Sequence, residues 1–393
     1  AGLMAAIAAA REGASVLIVE KENRVGKTIL ATGNGRCNLS NTAIQGEDAP
    51  AHYSQPTFVA SVLNRYDCDA IRSLFEKFGL LTIADEKGWV FPKTRFANSV
   101  LSVLLNEARR QGVDIQTGWE ALRMEATADS GFLVEAKGAS ISAGALIMAC
   151  GAKVANALCV DIPSVRPTPI LGPLKTESGL LKGLDGIRAH CLIRLLDAGA
   201  LVAQEAGEIL FRRYGVSGIA VFNLSRFAVS GQELSVDFFP EYAEAELRSL
   251  LLARWRGWLC DRLRCCPSVP AGEFLDGLLH PRIAQAILRC IGARTTEEAD
   301  ESLLDGFASV MKDYRLVITG GPDSAQAQVT RGGLALSGFD PVTLQSRACP
   351  QLFAAGEGLD VDGPCGGFNL HWAWASGFVA GQRAGKSISQ QAD

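Results

Sequence analysis

Two glycine-rich segments at opposite ends of the chain constrain its fold more than any other feature. One is Thr32-Gly33-Asn34-Gly35-Arg36-Cys37-Asn38-Leu39-Ser40-Asn41. The other runs from Ala354 through Gly356, Glu357, Gly358, Asp360, Gly363, Gly366, Gly367, Phe368 and Asn369 to Leu370. Glycine lets backbone N–H groups approach a bulky anion, and Asn, Arg and Glu beside it supply directional hydrogen bonds. Two such loops so far apart in sequence imply that the first and last parts of the chain build one cofactor site.

The opening residues complete that picture. Gly2 to about Glu12 reads as an alanine-rich helix ended by Gly13, and Ser15–Val19 is a continuous apolar strand ending at Glu20. Helix, turn and buried strand ending in an acid form the second half of a dinucleotide-binding unit. In the full motif the last glycine opens the helix, and the acid that binds the adenosine ribose follows about 20 residues later. Gly2 and Glu20 fit those positions, so the first strand and the first two glycines of the motif are expected to be absent from this sequence. Ala1–Ala10 lacks the basic start and cleavage context of a leader peptide, and no uncharged apolar run reaches the about 18 residues of a membrane span. The expectation is a soluble, cytoplasmic protein.

A hydrophobic content of 48% with 20% charged residues describes a globular chain, and its 393 residues predict more than one domain. The net charge of −4 argues against a dedicated nucleic-acid binder. Eleven cysteines at irregular spacing, with no C-x-x-C and only four histidines, predict reduced thiols and no metal site.

Along the chain, helices are expected over Cys68–Phe78 and Ala97–Gln111, with a turn or extended piece at Gly88–Pro92. Short strands follow near Ala121–Ala126, Phe132–Ala136 and Ala139–Ser142, and Ala145–Gly151 is another buried strand. The proline-rich Pro163–Pro173 marks a crossing into inserted material. Strands are expected from Ile187 to about Phe239 and helices from Tyr242 to about Tyr314, with Thr295-Thr296-Glu297-Glu298 as a capping box. Arg315–Gly321 is read as the path back to the first domain. The expected division is 1–165 for the first cofactor-binding segment, 166–240 for a β-rich insert, 241–314 for a helical insert, and 315–393 for the second cofactor-binding segment.

Leu352–Glu357 reads as a buried strand ending in Gly-acid, suited to a sugar or ribityl hydroxyl. Gly366-Gly367 opens a helix whose N-terminus suits the electron-rich edge of a reduced flavin. Cys37 is read as a packing residue rather than a redox thiol, and His371 as a packed or capping residue rather than an acid–base group. Arg248, Arg254, Arg256, Arg262 and Arg264 form the one basic stretch that would suit RNA. No Ser-His-Asp, paired-carboxylate or Walker pattern occurs.

With these residues placed, the chain resembles the bacterial HI0933-like flavoprotein family, which includes bile-acid reductases and aminoacetone-oxidase-type FAD enzymes. The resemblance rests on Thr32–Asn41, Gly88–Pro92, Glu208–Phe211 with Tyr214–Gly218, and Ala355–Gly381. It implies an α/β fold: a glutathione-reductase-type, Rossmann-like FAD-binding domain interrupted by a β-barrel-like part and a helical part. It also implies non-covalent FAD, with NADH or NADPH as possible electron donor. The expected cofactor-binding residues are Gly2, Glu20, Lys21, Gly26, Lys27, Thr32, Gly33, Gly35, Arg36, Cys37, Asn38, Cys150, Gly151, Gly356, Glu357, Asp360, Gly366, Gly367, Phe368 and Asn369; no catalytic residue is assigned. The activity implied is hydride delivery from flavin N5 to a C=C bond conjugated to a carbonyl of a small substrate. Reduction of RNA uridine to dihydrouridine, and amine oxidation with dioxygen, are the alternatives. The chain departs from the family pattern in its start, in His371 where the family usually has Gln, and after Gly151. There Ala152–Val165 is expected to pass to the proline-rich crossing without the family's short helix.

Overall fold

Alanine has the highest intrinsic helix propensity, and the opening run forms helix α1 (Gly2–Arg11), with Gly13 in the left-handed conformation just beyond it. The computed structural model describes residues 1–127, 131–159, 161–262, 270–296 and 298–392. The chain divides into two units, Ala1–Thr168 with Val329–Asp393, and Pro169–Gln328.

After α1 the first unit continues with β1 (Leu17–Glu20), α2 (Lys27–Ala31) and β2 (Ser40–Asn41). Next come α3 (Pro56–Leu63), α4 (Cys68–Lys77), β3 (Thr82–Ala84), β4 (Trp89–Pro92) and α5 (Ala97–Arg110). The Asp67 side chain caps α4 by accepting from Ala70 N. The sheet order β2-β4-β3 turns Gly88–Pro92 into the central strand of a small antiparallel sheet. Then follow β5 (Asp114–Thr117), the meander β6 (Arg123–Ala126), β7 (Phe132–Ala136) and β8 (Ala139–Ala143), and β9 (Leu146–Met148). The next element corrects the sequence reading: Ala152–Leu158 is a helix, α6, which follows Gly151 directly. Strand β10 (Ser164–Ile170) is the outgoing crossing.

The second unit opens with β11 (Leu174–Thr176), β12 (Arg188–Asp197) and β13 (Ala200–Arg212). Ala198 and Gly199 both have positive φ, the hairpin-turn geometry that matches strand twist. Then come β14 (Gly215–Ser217), α7 (Ile219–Leu224), β15 (Glu233–Asp237), α8 (Glu244–Arg262), α9 (Ala271–Phe274), α10 (Pro281–Cys290), α11 (Glu301–Lys312) and β16 (Tyr314–Gly320). The strands close into a barrel in the order β11-β14-β13-β12-β15-β16. Arg315–Gly320 is therefore the last barrel strand, not the path back to the first domain. Barrel residues Ile193, Phe211 and Leu316 and helix residues Leu247, Phe274 and Phe307 share one core, so the two expected inserts are a single unit. Helix α11 is capped by Asp300, whose side chain accepts from Leu303 N, rather than by the Thr295–Glu298 box; Glu297 lies outside the described residues.

The chain returns through β17 (Val329–Leu334), which pairs with β10, and ends with β18 (Leu352–Ala354) and α12 (Phe368–Ala392). The parallel strands form two pairs, β1 with β5 and β9 with β18. Helix α12 lies along α1 at very short range. A Cβ on Gly377, Gly381 or Gly385 would stand 2.6, 2.1 or 2.7 Å from Ala1 O, Ala5 O or Ala9 O. One turn of spacing between these glycines gives α12 a flat stripe onto which the alanine helix seats. No helix among the described residues is long and apolar enough to cross a membrane.

Candidate functional site

Strand β1 delivers Glu20, whose Oε1 accepts from Glu22 N at 3.0 Å. Lys27 at the start of α2 is taken up by Glu22, Nζ to Oε2 2.6 Å, while Lys21 is exposed. Gly26 has positive φ and faces Leu101, whose side chain lies where a Cβ would be. From there the chain enters a tight turn at Thr32–Gly35, in which the Thr32 hydroxyl donates to Ile29 O. Gly33, Asn34, Gly35 and Cys37 all have left-handed φ, which glycine adopts freely and other residues adopt at a cost. Cys37 is fully buried, and burial pushes its thiol up to about 11, so it holds no thiolate at neutral pH. The Asn38 amide nitrogen donates to Ser40 O (2.9 Å) and Val90 O (3.2 Å), tying the loop to β4.

The C-terminal segment is built as densely. At the end of β18 the turn Gly356–Gly358 carries Glu357, whose carboxyl is pushed up to about 7 by burial against a hydrogen bond from the Thr330 backbone. Asp360 accepts from Gly332 N (2.9 Å). Buried Asp362 receives Arg331 through Nε (2.6 Å) and Nη2 (3.1 Å), a two-pronged pairing that fixes the loop. Asn369 closes the Gly363–Asn369 turn on itself: its Oδ1 accepts from Gly363 N, and its Nδ2 donates to Gly363 O and Pro364 O. Phe368 is packed edge-on against Tyr53, whose hydroxyl donates to Phe368 O (2.9 Å).

The two glycine-rich segments meet. Asn41 Nδ2 donates to Gly366 O (2.9 Å), and Trp374 Nε1 donates to Leu39 O (3.0 Å). Gly367, with φ +101, lies so close that a Cβ would stand 2.2 Å from Ser40 O. Beneath this junction His371 is fully buried, with Nε2 2.9 Å from Tyr66 O and Nδ1 2.9 Å from the Ser40 hydroxyl. The carbonyl requires an N–H at Nε2, so Nδ1 accepts from Ser40. Burial lowers the imidazole to about 4. It is a packed residue.

A second gathering lies at the C-terminal ends of the parallel strands, where open α/β sheets bind nucleotides. Strands β9 and β18 run in register, Leu146 beside Leu352 and Met148 beside Ala354, and Ala355 N donates to Met148 O (3.0 Å) just before Cys150-Gly151 and Gly356-Glu357 begin. The N-terminus of α1 reaches the same place, since a Cβ on Gly2 would touch Ala149 Cβ at 3.6 Å and Gly356 faces Ala1. Sequence reading missed the glycine stripe of α12, whose four-residue spacing was the available signal, and Arg331, Asn41 and Tyr53, whose partners are distant in sequence.

The basic stretch of the second unit is partly consumed within it. Arg248 pairs with Asp305, and Arg254 donates to Phe274 O and Asp276 O. Arg256 is exposed, and the side chains of Arg262 and Arg264 lie outside the described residues.

A parallel-stranded nucleotide fold, split by a barrel-bearing insert and sealed by two glycine loops, defines an FAD-dependent oxidoreductase of the Rossmann class. The chain belongs to the HI0933-like family: the model described as "HI0933-like protein Rossmann domain" matches residues 1–383. It is 34% identical to a 3-dehydro-bile acid delta(4,6)-reductase of Clostridium scindens, over 98% of this chain and 96% of that protein. Ribosomal RNA dihydrouridine synthases of Escherichia coli (24% identical, 97% of this chain, 95% of that one) and Haemophilus influenzae (26%, 100% and 96%) are also similar.

Proposed function

We propose that this protein reduces a carbon–carbon double bond conjugated to a carbonyl in a small molecule, taking electrons from NADH or NADPH through FAD. The observation that carries the reading is the junction of Ser40–Asn41 with Gly366-Gly367, which opens long helix α12 beside the Asn38 loop. The residues present fit FAD. Side-chain bulk is missing where a flat ligand needs access: a Cβ on Gly35 or Gly151 would meet open space, although both have the φ of a left-handed turn.

In this reading Gly2 and the unpaired N–H groups of α1 receive the pyrophosphate, and Glu20 the adenosine ribose, with Lys21, Gly26 and Lys27 shaping that end. Glu357 and Asp360 face the ribityl chain, and Cys150-Gly151 line the same passage. Thr32, Gly33, Gly35, Arg36, Cys37 and Asn38 form one wall of the ring site; Gly366, Gly367, Phe368 and Asn369 form the other. Bound FAD supplies two-electron hydride chemistry. The protein orients the ring, excludes water with Phe368 and Tyr53, and offers the α12 N-terminus to developing negative charge.

Uridine reduction in RNA draws support from the two synthase relatives and from exposed Arg256, whereas Arg248 and Arg254 are engaged inside the second unit. Because a relative 34% identical is named for a dehydro-bile acid, a 3-oxo-Δ4 steroid acid is the first substrate to try. Purified protein should show flavin absorbance that bleaches anaerobically with NADH or NADPH and recovers on adding that acid. Bleached flavin that recovers only with dioxygen would point to an oxidase instead.

A further inference from the structure

Strand β4 runs beside the glycine junction, with Trp89 paired to Asn41 and Val90 to Ser40. Its segment Gly88–Pro92 holds none of the residues placed around FAD. The Trp89 indole nitrogen nevertheless stands 2.9 Å from the point a Cβ on Gly366 would occupy, and Asn41 Nδ2 stands 3.4 Å from it. Gly366 has φ +113, and its bare Cα leaves that edge of the indole uncovered. Trp255, Trp372 and Trp374 spend their N–H on Ala299 O, Gly356 O and Leu39 O. Trp89 Nε1 has no acceptor among the described residues, and it is not sealed from solvent. Indole nitrogen only donates, so this N–H can serve an acceptor from outside the chain.

Two features make it a strong donor. Asp85 Oδ1 accepts from Lys87 N (3.0 Å) and Trp89 N (2.9 Å), and Asp85 N donates to Trp89 O (3.0 Å). The turn that carries the indole is thus fixed before any ligand arrives. The exposed Lys87 ammonium lies 5.6 Å from the ring centroid, and positive charge there polarises the N–H further.

We propose that the Trp89 N–H, backed by Lys87, donates to the carbonyl oxygen of the substrate and stabilises the enolate formed when the C=C is reduced. This rests on the reduction proposed above and adds the residue that meets the charge it creates. Hydride added at the β carbon sends the π electrons to that oxygen. A proton from solvent then reaches the α carbon, and the C=O is restored. A hydrogen bond that strengthens as the oxygen turns negative acts on the transition state more than on the bound ketone. A flavin carbonyl offers the same acceptor chemistry, and the test separates the two.

Calorimetry measures binding of pentafluorophenol, an oxyanion at neutral pH, to the oxidised FAD-loaded wild type, W89F and K87Q. Steady-state kinetics with the 3-oxo-Δ4 steroid acid follow on the same proteins. Phenolate affinity should fall at least about tenfold in W89F and by a smaller factor in K87Q, as expected for a hydrogen bond to a charged group. In W89F kcat should fall with KM little changed. No phenolate binding to the wild type, or equal affinity in W89F, would overturn the assignment. So would a W89F protein that has lost FAD or whose flavin spectrum is shifted without ligand, since the donor would then serve the cofactor. Wild-type affinity in K87Q would strike the lysine from it. Phenolate held with the expected dependence by a protein that never reduces the ketone would uphold the donor and sink the proposed reduction; reduction at an unchanged rate in W89F would do the reverse.

Discussion

Burial of the His371 imidazole between the Ser40 hydroxyl and Tyr66 O lowers its proton affinity from the ordinary 6.5 to about 4. The unfolded chain then takes up a proton at a pH where the folded one does not. Stability from this site is complete above 6.5 and is lost as pH falls toward 4, by about 3 kcal/mol. Glu357 has the opposite sign: its carboxyl, raised from 4.5 to about 7, favours the fold at low pH and loses that contribution as pH rises through 7. The windows overlap, so H371Q isolates the first. Urea unfolding between pH 4 and 6.5 should show a shallower acid loss in H371Q than in the wild type; parallel slopes would remove the imidazole from the account. The packed role of His371 was legible from its place on a tryptophan-rich helix. Its partners were not, because Ser40 and Tyr66 are hundreds of residues away and neither sits in a motif with it.

At the scale of elements, the seating of α12 on α1 depends on missing side chains. Gly381 is the tightest point, and a methyl group there would stand 2.1 Å from Ala5 O. Backbone carbonyls of a packed helix cannot swing away as a side chain can, so G381A should cost about 3 kcal/mol, read as a lowered Tm with reduced flavin content. An unchanged Tm would show that the two helices separate freely. Most strands and long helices followed from periodicity, and the glycine loops from composition. Helix α6 escaped because its seven residues are too few to be stable alone; its stability comes from packing against β17 and the Gly356–Gly358 turn. Strand β16 escaped for a related reason: its partners β11 and β15 are contributed by residues far upstream, and apolar alternation does not reveal partners.

On the scale of the whole molecule, β10 and β17 carry the chain out to the second unit and back as one hydrogen-bonded ribbon. Ala335 N donates to Pro163 O at one end and Gln328 N to Leu171 O at the other. Replacing Pro169–Gln328 by a short Gly/Ser turn should therefore leave the first unit able to fold, with a cooperative thermal transition; a non-cooperative melt would show that it needs the insert. The same ribbon bears on the order of events during synthesis. The second unit is continuous in sequence, so it can close while the C-terminal segment is still to be made. Its closure brings Thr168 and Val329 together, sparing the host about 4.5 kcal/mol of chain entropy relative to a floppy insertion of that length. Helix α1 nevertheless has its seat on α12, which lies far downstream of it, beyond the whole second unit. The face that α12 covers stays bare until that helix has been made, which makes the nascent chain a natural client for chaperones that shield short apolar helices.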